Sequence, residues 1–211
     1  ILKSGHYCYC MEDNTRMITV EDLKRSEVVA LYLKKADDYL RGIGYTEHGE
    51  RHACITAERA IYILDRLGYE ERISRLAGLA GYLHDVGNVI GRDYHGQSGA
   101  LIARDILAGF GLPLEDILDV MCAIGNHEEE VGDPVNEVSA ALILGDKSDV
   151  HRSRVHNPNL ISFDIHDRVN YAAEKSFLKV DKEERSISLE LTIDTRISQV
   201  MEYFEIFISR M

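Results

Sequence analysis

The apolar residues of this chain change their period part-way along it, and the change limits the folds open to it. As far as about residue 151 they recur every three to four positions, the spacing of helices that bury one face. Thr19-Val20-Glu21-Asp22 sets an N-cap residue three positions before an acid, ahead of Leu23, Ala30, Leu31 and Leu33. This predicts one helix to about Leu40, ended by Gly42 and Gly44. A second begins near His48 and runs to Leu67-Gly68. A third follows Tyr69 and carries Leu76, Ala77, Ala80 and Leu83, with Gly87 as its stop. Further helices are predicted at about 95–109, 114–127 and 135–151, with Pro113 and Pro134 near two of the starts.

From Ser176 the pattern becomes a strict alternation. Ser176, Leu178 and Val180 alternate with Phe177 and Lys179; Ile187, Leu189, Leu191 and Ile193 alternate with Ser186, Ser188, Glu190 and Thr192. The polar stretch Asp181 to Arg185 lies between, so the two runs predict a β-hairpin. An amphipathic helix over Arg196 to Met211 closes the chain. The expected fold is mainly α: a helical bundle with a small C-terminal hairpin and a final helix. Its expected organisation is an N-terminal segment, 1–18, a helical domain, 19–155, and a hairpin-plus-helix unit, 156–211, packed on that domain. With 211 residues, 45% of them hydrophobic, the chain has enough material for one real core.

The formal charge of −12, with Lys and Arg scattered, argues against a nucleic-acid backbone as partner, which needs concentrated basic surface. A small anionic substrate stays compatible, because bound cations invert the local field. Nothing approaches the roughly 18–20 apolar residues of a membrane span. Ile1-Leu2-Lys3-Ser4 lacks a signal-peptide pattern, so a cytoplasmic location is the expectation, as is a natural chain that starts before Ile1. Cys54 and Cys122 fall in helices and are read as small core residues. Cys8 and Cys10, with His6, lack the second Cys/His pair of a zinc site. The edge of the hairpin would allow a homodimer.

Nine histidines in an acidic chain need sorting. The dipeptide His-Asp occurs twice. His166-Asp167 lies in a polar segment before the hairpin and needs no special explanation. His84-Asp85 follows the apolar run Leu79-Ala80-Gly81-Tyr82-Leu83, where a carboxylate is costly unless it is paired or bound to a metal. His52, His95, His127 and Asp146 also lie near helix ends, so five successive helices each bring a His or Asp to one end. Imidazole and carboxylate together suit Mn, Fe, Co, Ni or Zn.

The order His52, His84-Asp85, Asp146 resembles the signature of the HD superfamily of metal-dependent phosphohydrolases. The neighbouring Arg51, Val86-Gly87, Gly99-Ala100, Asn126-His127-Glu128 and Lys147-Ser148-Asp149 are similar too, so the likeness covers about residues 48–154. His95 and His127 resemble the extra histidines of branches that bind two metals, such as HD-GYP phosphodiesterases and diadenosine tetraphosphate hydrolases. Where HD-GYP enzymes carry His-His-Glu and then Gly-Tyr-Pro, this chain has Asn126 and Val131-Gly132-Asp133-Pro134, which turns the expectation from cyclic dinucleotides to a nucleotide or other small phosphoester.

The resemblance implies one ion held by His52, His84, Asp85 and Asp146, and a second held by Asp85 as bridge with His95 and His127. Lys147 and Arg152 are then candidates to meet phosphate oxygens beside the catalytic Asp85, with Arg154 as a further one. Glu128 is expected to orient His127. Asp149 is expected on the helix face of Asp146, and Asn88 either to contact substrate or to cap its turn. A non-catalytic metal-binding sensor or interaction module and a di-iron oxygenase of the same superfamily are the alternatives.

Overall fold

The computed structural model describes residues 17–128, 132–157 and 164–208. His6, Cys8 and Cys10, and the acidic Glu129 and Glu130, lie outside the described residues. The architecture is mainly α with an antiparallel hairpin and a short closing helix, as the patterning predicts.

The first predicted helix is two: α1 (Val20–Lys24) and α2 (Glu27–Gly42). The Thr19 backbone N–H and hydroxyl both donate to Asp22 Oδ2 at 3.0 Å, which starts α1. Ser26 then interrupts, because its hydroxyl accepts from the Val29 N–H and caps a new helix. Next come α3 (Glu50–Leu67), stopped by Gly68 at φ +83°, and α4 (Glu71–Leu83). A 3₁₀ turn over Val86–Val89 leads to α5 (His95–Gly109), α6 (Leu114–Gly125) and α7 (Glu137–Lys147). The last two are shorter than predicted. The α7 helix stops early because Ser148 Oγ donates back to the Gly145 carbonyl at 2.7 Å and the chain turns away.

In the bundle, α3 packs against α4 and α7, and α5 against α6. Two glycines let these helices approach closely. A Cβ on Gly81 would stand 2.9 Å from the Ala57 backbone, and one on Gly145 would stand 2.8 Å from the Thr56 carbonyl oxygen. Small residues thus bring the ends of α4 and α7 against the first half of α3, where His52 lies. Leu33, Ile63, Leu64, Leu76, Leu79, Leu83 and Leu142 fill the core between the helices.

The remaining elements are α8 (Ile165–Ala172), β1 (Ala173–Asp181), β2 (Ser186–Ile193) and α9 (Val200–Phe207). The α8 helix was not predicted: its polar sequence hides the apolar face of Val169 and Ala172. The hairpin pairs Leu178 with Leu189 and Val180 with Ile187. Leu178 and Val180 complete the main core, while Leu191 and Ile193 pack on a second, smaller one of Val150, Val169, Ala173, Tyr203, Ile206 and Phe207. The final helix starts later than predicted, because Ser198 Oγ and the Gln199 N–H both donate to Glu202 and fix the start there. Cys54 and Cys122 are half-buried, and Cys54 packs against the main core. Among the described residues no helix is long and apolar enough to cross a membrane.

Candidate metal centre

Four histidines and two aspartates from five helices converge at one end of the bundle. His52 sits in the first turn of α3, His84 caps the end of α4, His95 opens α5, His127 lies two residues past α6, and Asp146 is next to last in α7. All are at least nine-tenths buried. Groups in so dry a place must satisfy one another or a ligand.

Each imidazole points the same way with respect to its two nitrogens. Nδ1 faces outward to an acceptor: Asp149 Oδ2 for His52 at 2.8 Å, the Gly81 carbonyl for His84 at 2.9 Å, Glu128 Oε1 for His95 at 2.8 Å, and the Ile124 carbonyl for His127 at 2.6 Å. Carbonyls and carboxylates only accept, so the proton sits on Nδ1 in the neutral rings and Nε2 offers its lone pair inward. There the Nε2 atoms meet the carboxylates. His52 lies 3.1 Å from Asp146 Oδ1, and His84 lies 3.1 Å from Asp85 Oδ2 and 3.7 Å from Asp146 Oδ1. His95 Nε2 is 3.3 Å from Asp85 Oδ1 and 3.1 Å from His127 Nε2.

These separations suit donors around an ion. With bonds of about 2.0–2.2 Å to nitrogen or oxygen, neighbouring donor atoms stand roughly 3.0–3.6 Å apart. Three donor sets are close enough to share an ion: His52, His84 and Asp85; His84, His127 and Asp146; and Asp85, His95 and His127. Asp85 turns one oxygen to each side of the cluster, and Asn88 Nδ2 steadies it by donating to Oδ1 at 2.8 Å. Two inward-facing atoms, His52 Nε2 and Asp85 Oδ2, are buried with no hydrogen-bond partner among the described residues. That is the arrangement of groups that could hold a metal.

The electrostatics agree. Burial alone would lower the His84 pKa, but the Asp85 and Asp146 carboxylates override it and lift it to about 10. The same burial would raise the acids, yet His84 beside Asp85, and Lys147 and the histidines beside Asp146, hold both well below the usual range. Burial and the charges of His84 and His95 push His127 down. The Asp85 and Asp146 carboxylates therefore favour positive charge beside them.

Several neighbours differ from expectation. Glu128 orients His95, not His127. Asp149 lies beyond the end of α7 rather than on its face, yet it holds His52 and takes a two-pronged salt bridge from Arg51 at 2.9 and 3.2 Å. Asn88 takes the second of its two expected roles: its Nδ2 caps the turn on the Asp85 carbonyl at 3.0 Å and also meets Asp85 Oδ1. Lys147 Nζ stands 2.9 Å from Asp146 Oδ2 and lines the cavity above the cluster. Arg152 does not reach it: its guanidinium pairs with Glu174 on β1 at 3.0 Å and lies over the Tyr171 ring. Arg154 lines the cavity but donates to the Glu47 and Asp149 carbonyls, so its fork is engaged in holding the loop.

The cavity measures about 660 Å³. Sequence reasoning missed much of its wall. Arg92 lies over the Tyr45 ring and 3.3 Å from His95 Nε2, and His48 faces the cavity with Nδ1 bound to the Thr46 carbonyl. From the C-terminal unit come Asp164, His166, Asp167, Asn170 and Phe207. For Tyr94 the sequence signal was its place, a bulky residue just before a histidine, and the fold adds a backbone at φ +57° at the start of α5. For the others there was none, since loop and surface residues look alike before the chain is folded.

A helical bundle that gathers imidazoles and carboxylates at its end defines a helical domain with groups that could hold a metal. Residues 49–149 match the HD domain family, and the chain carries an HD domain, a type typical of metal-dependent hydrolases. Over 207 aligned residues the chain is 26% identical to an uncharacterized protein of Methanocaldococcus jannaschii, with 86% of this chain and 79% of the relative covered. No solved structure matches.

Proposed function

We propose that this protein is a metal-dependent phosphohydrolase that cleaves a phosphoester bond of a nucleotide or other small phosphorylated metabolite. The observation that carries the reading is the pair of orphaned buried atoms, His52 Nε2 and Asp85 Oδ2, inside a six-residue donor set under an open cavity. His52, His84, Asp85 and Asp146 would hold one divalent transition-metal ion, and Asp85, His95 and His127 a second. Such ions supply Lewis acidity toward phosphoryl oxygens and lower the pKa of a water to near neutrality.

The chain's own residues prepare the rest. Asp149 and Glu128 fix the tautomers and ring planes of His52 and His95. Asp85, shared between the two sides, sets their spacing, with Asn88 keeping its carboxylate in plane. Lys147 presents an ammonium to a phosphate oxygen at the cavity floor, and Arg92 a second cation at its side. The surrounding walls screen the reacting group from bulk water, which strengthens every charge interaction inside.

The test is to strip the protein of metal, restore Mn, Fe, Co, Ni or Zn singly, and assay a panel of phosphoesters. Asp85→Ala is expected to lose bound metal and to lower turnover at least about 10³-fold, the scale set by loss of a main electrostatic group. Wild-type metal content in Asp85→Ala overturns the site. Metal bound by wild type with no phosphoester cleaved overturns the reaction.

A further inference from the structure

The second His-Asp dipeptide lies in the wall of the cavity. His166 and Asp167 belong to α8, outside the segment that matches the HD domain, and with Asn170 they face the space above the metal cluster. Asn170 is 96% buried, being 4% exposed. Its Nδ2 donates to the His166 carbonyl at 2.9 Å, but its Oδ1 is buried with no partner among the described residues. A buried acceptor left bare is costly unless something donates to it. Asp167, three residues earlier and so on the same helix face, makes no side-chain hydrogen bond among the described residues and lines the same cavity. Asp164 also lines it, with Oδ1 engaged by the His166 and Asp167 N–H groups as the cap of α8.

The cavity is thus chemically two-sided. Lys147 and Arg92 stand with the metal cluster, beside Asp93 and Glu128, whereas α8 lines the far wall with the acceptors of Asp167 and Asn170 next to His166. A volume of about 660 Å³ holds a whole small metabolite, not a phosphate alone. Building on the phosphohydrolase reading, we propose that α8 is the recognition wall for the leaving group, with Asn170 Oδ1 and the Asp167 carboxylate accepting hydrogen bonds from its hydroxyls. The leaving group is then a polyhydroxylated one, a free sugar or the ribose of a nucleoside. Substrate choice on this account is made by the C-terminal unit, and the chemistry by the bundle.

The experiment uses the full chain loaded with manganese and two matched pairs of substrates. Ribose 5-phosphate against n-pentyl phosphate asks about a free sugar; adenosine 5′-monophosphate against its 2′,3′-dideoxy form asks about a nucleoside. Wild type is expected to favour the hydroxylated member of at least one pair about tenfold in kcat/KM, the worth of one to two hydrogen bonds. Asp167→Ala and Asn170→Ala are each expected to raise KM for that member about fivefold, with kcat and the dehydroxylated member within twofold. No preference within either pair, or an equal loss for both members, overturns the proposal while leaving the phosphohydrolase reading intact. Since Asn170→Ala also removes a bond within α8, Asp167→Ala and the wild-type preference keep the test decisive if that variant misfolds. If no ester is cleaved, calorimetry with the phosphonate isosteres of ribose 5-phosphate and pentyl phosphate separates the two ideas. Selective weakening of the hydroxylated ligand by Asp167→Ala keeps the recognition wall and removes the reaction; equal binding of both removes the wall as well.

Discussion

Asp85 and Glu202 are both carboxylates held by nitrogen-bearing side chains, one at the floor of the helical bundle and one on the pair of helices that ends the chain. Asp85 is 3% exposed and meets His52 and His95 from two other helices, besides its sequence neighbours His84 and Asn88. Glu202 meets Arg168 at 2.6 Å on the surface, with about a quarter of each side chain open to water. Solvent screens the second contact and competes for it, so it is worth little. Around the first there is no solvent to take over, so every lost partner leaves a bare polar atom. Polar groups in the bundle are therefore fixed in number and direction, whereas those of the C-terminal unit are exchangeable, except where α8 faces the cavity.

Substitutions can widen or close that gap. The largest effect on stability is expected in the bundle core: Leu142→Ala, at a fully buried position on α7, should cost about 3–4 kcal/mol in urea unfolding. An equal cost for Ile187→Ala, whose side chain is 39% exposed on the hairpin, would erase the distinction. Next comes chelation. Free ion at about 100 times its dissociation constant stabilises a protein by about 2.7 kcal/mol, so adding a chelator should lower Tm by about 5–10 °C. Asp85→Ala should abolish that shift, while Glu202→Gln should leave it unchanged. Asn88→Ala removes the donor that steadies Asp85 and is expected to weaken metal binding about 10–100-fold in a titration, with a smaller change in Tm.

The smallest effect belongs to Glu202 and has a defined pH dependence. Arg168 and the Ser198 hydroxyl hold its pKa down to about 2. A depressed acid contributes stability that is complete above its ordinary value near 4.5 and is lost as pH falls through about 2. Glu202→Gln should therefore change Tm by about 1 °C near neutrality, and the difference from wild type should vanish near pH 2. A large shift at pH 7 would show that α9 depends on this contact rather than on Tyr203, Ile206 and Phe207.

The same contrast explains which parts of the molecule were legible in its sequence. Helices α3 to α7 bury one face each, so Leu76, Ala80 and Leu83 or Ile117, Val120 and Ile124 announce themselves by spacing. The six metal-centre candidates stood out because His and Asp are rare beside such runs, and the folded chain brings all six together. Arg152 was misplaced because the chain turns at Ser148, a local hydroxyl bond that periodicity does not register. The pairing of Glu128 with His95 depends on how α5 and α6 meet, not on sequence neighbours. The α8 helix was invisible for a related reason: Asp164-Ile165-His166-Asp167-Arg168 is polar enough to be a loop, and only its contacts with Val150 and α9 make a face of Val169 and Ala172.

The bond between His52 and Asp149 spans 97 positions of sequence, and the other contacts of the centre bridge most of the stretch between them. A segment that ends before α6, emerging first or cut free, carries His52, His84, Asp85 and His95 but lacks His127, Asp146 and the Asp149 that holds His52. Contacts so distant in sequence form only after the long intervening loop has been closed, which places them late in folding. Metal capture should accordingly mark the final docking of α7. Ion uptake followed in time would then act as a clock for completion of the bundle, lagging the appearance of helix and coinciding with burial of Leu142.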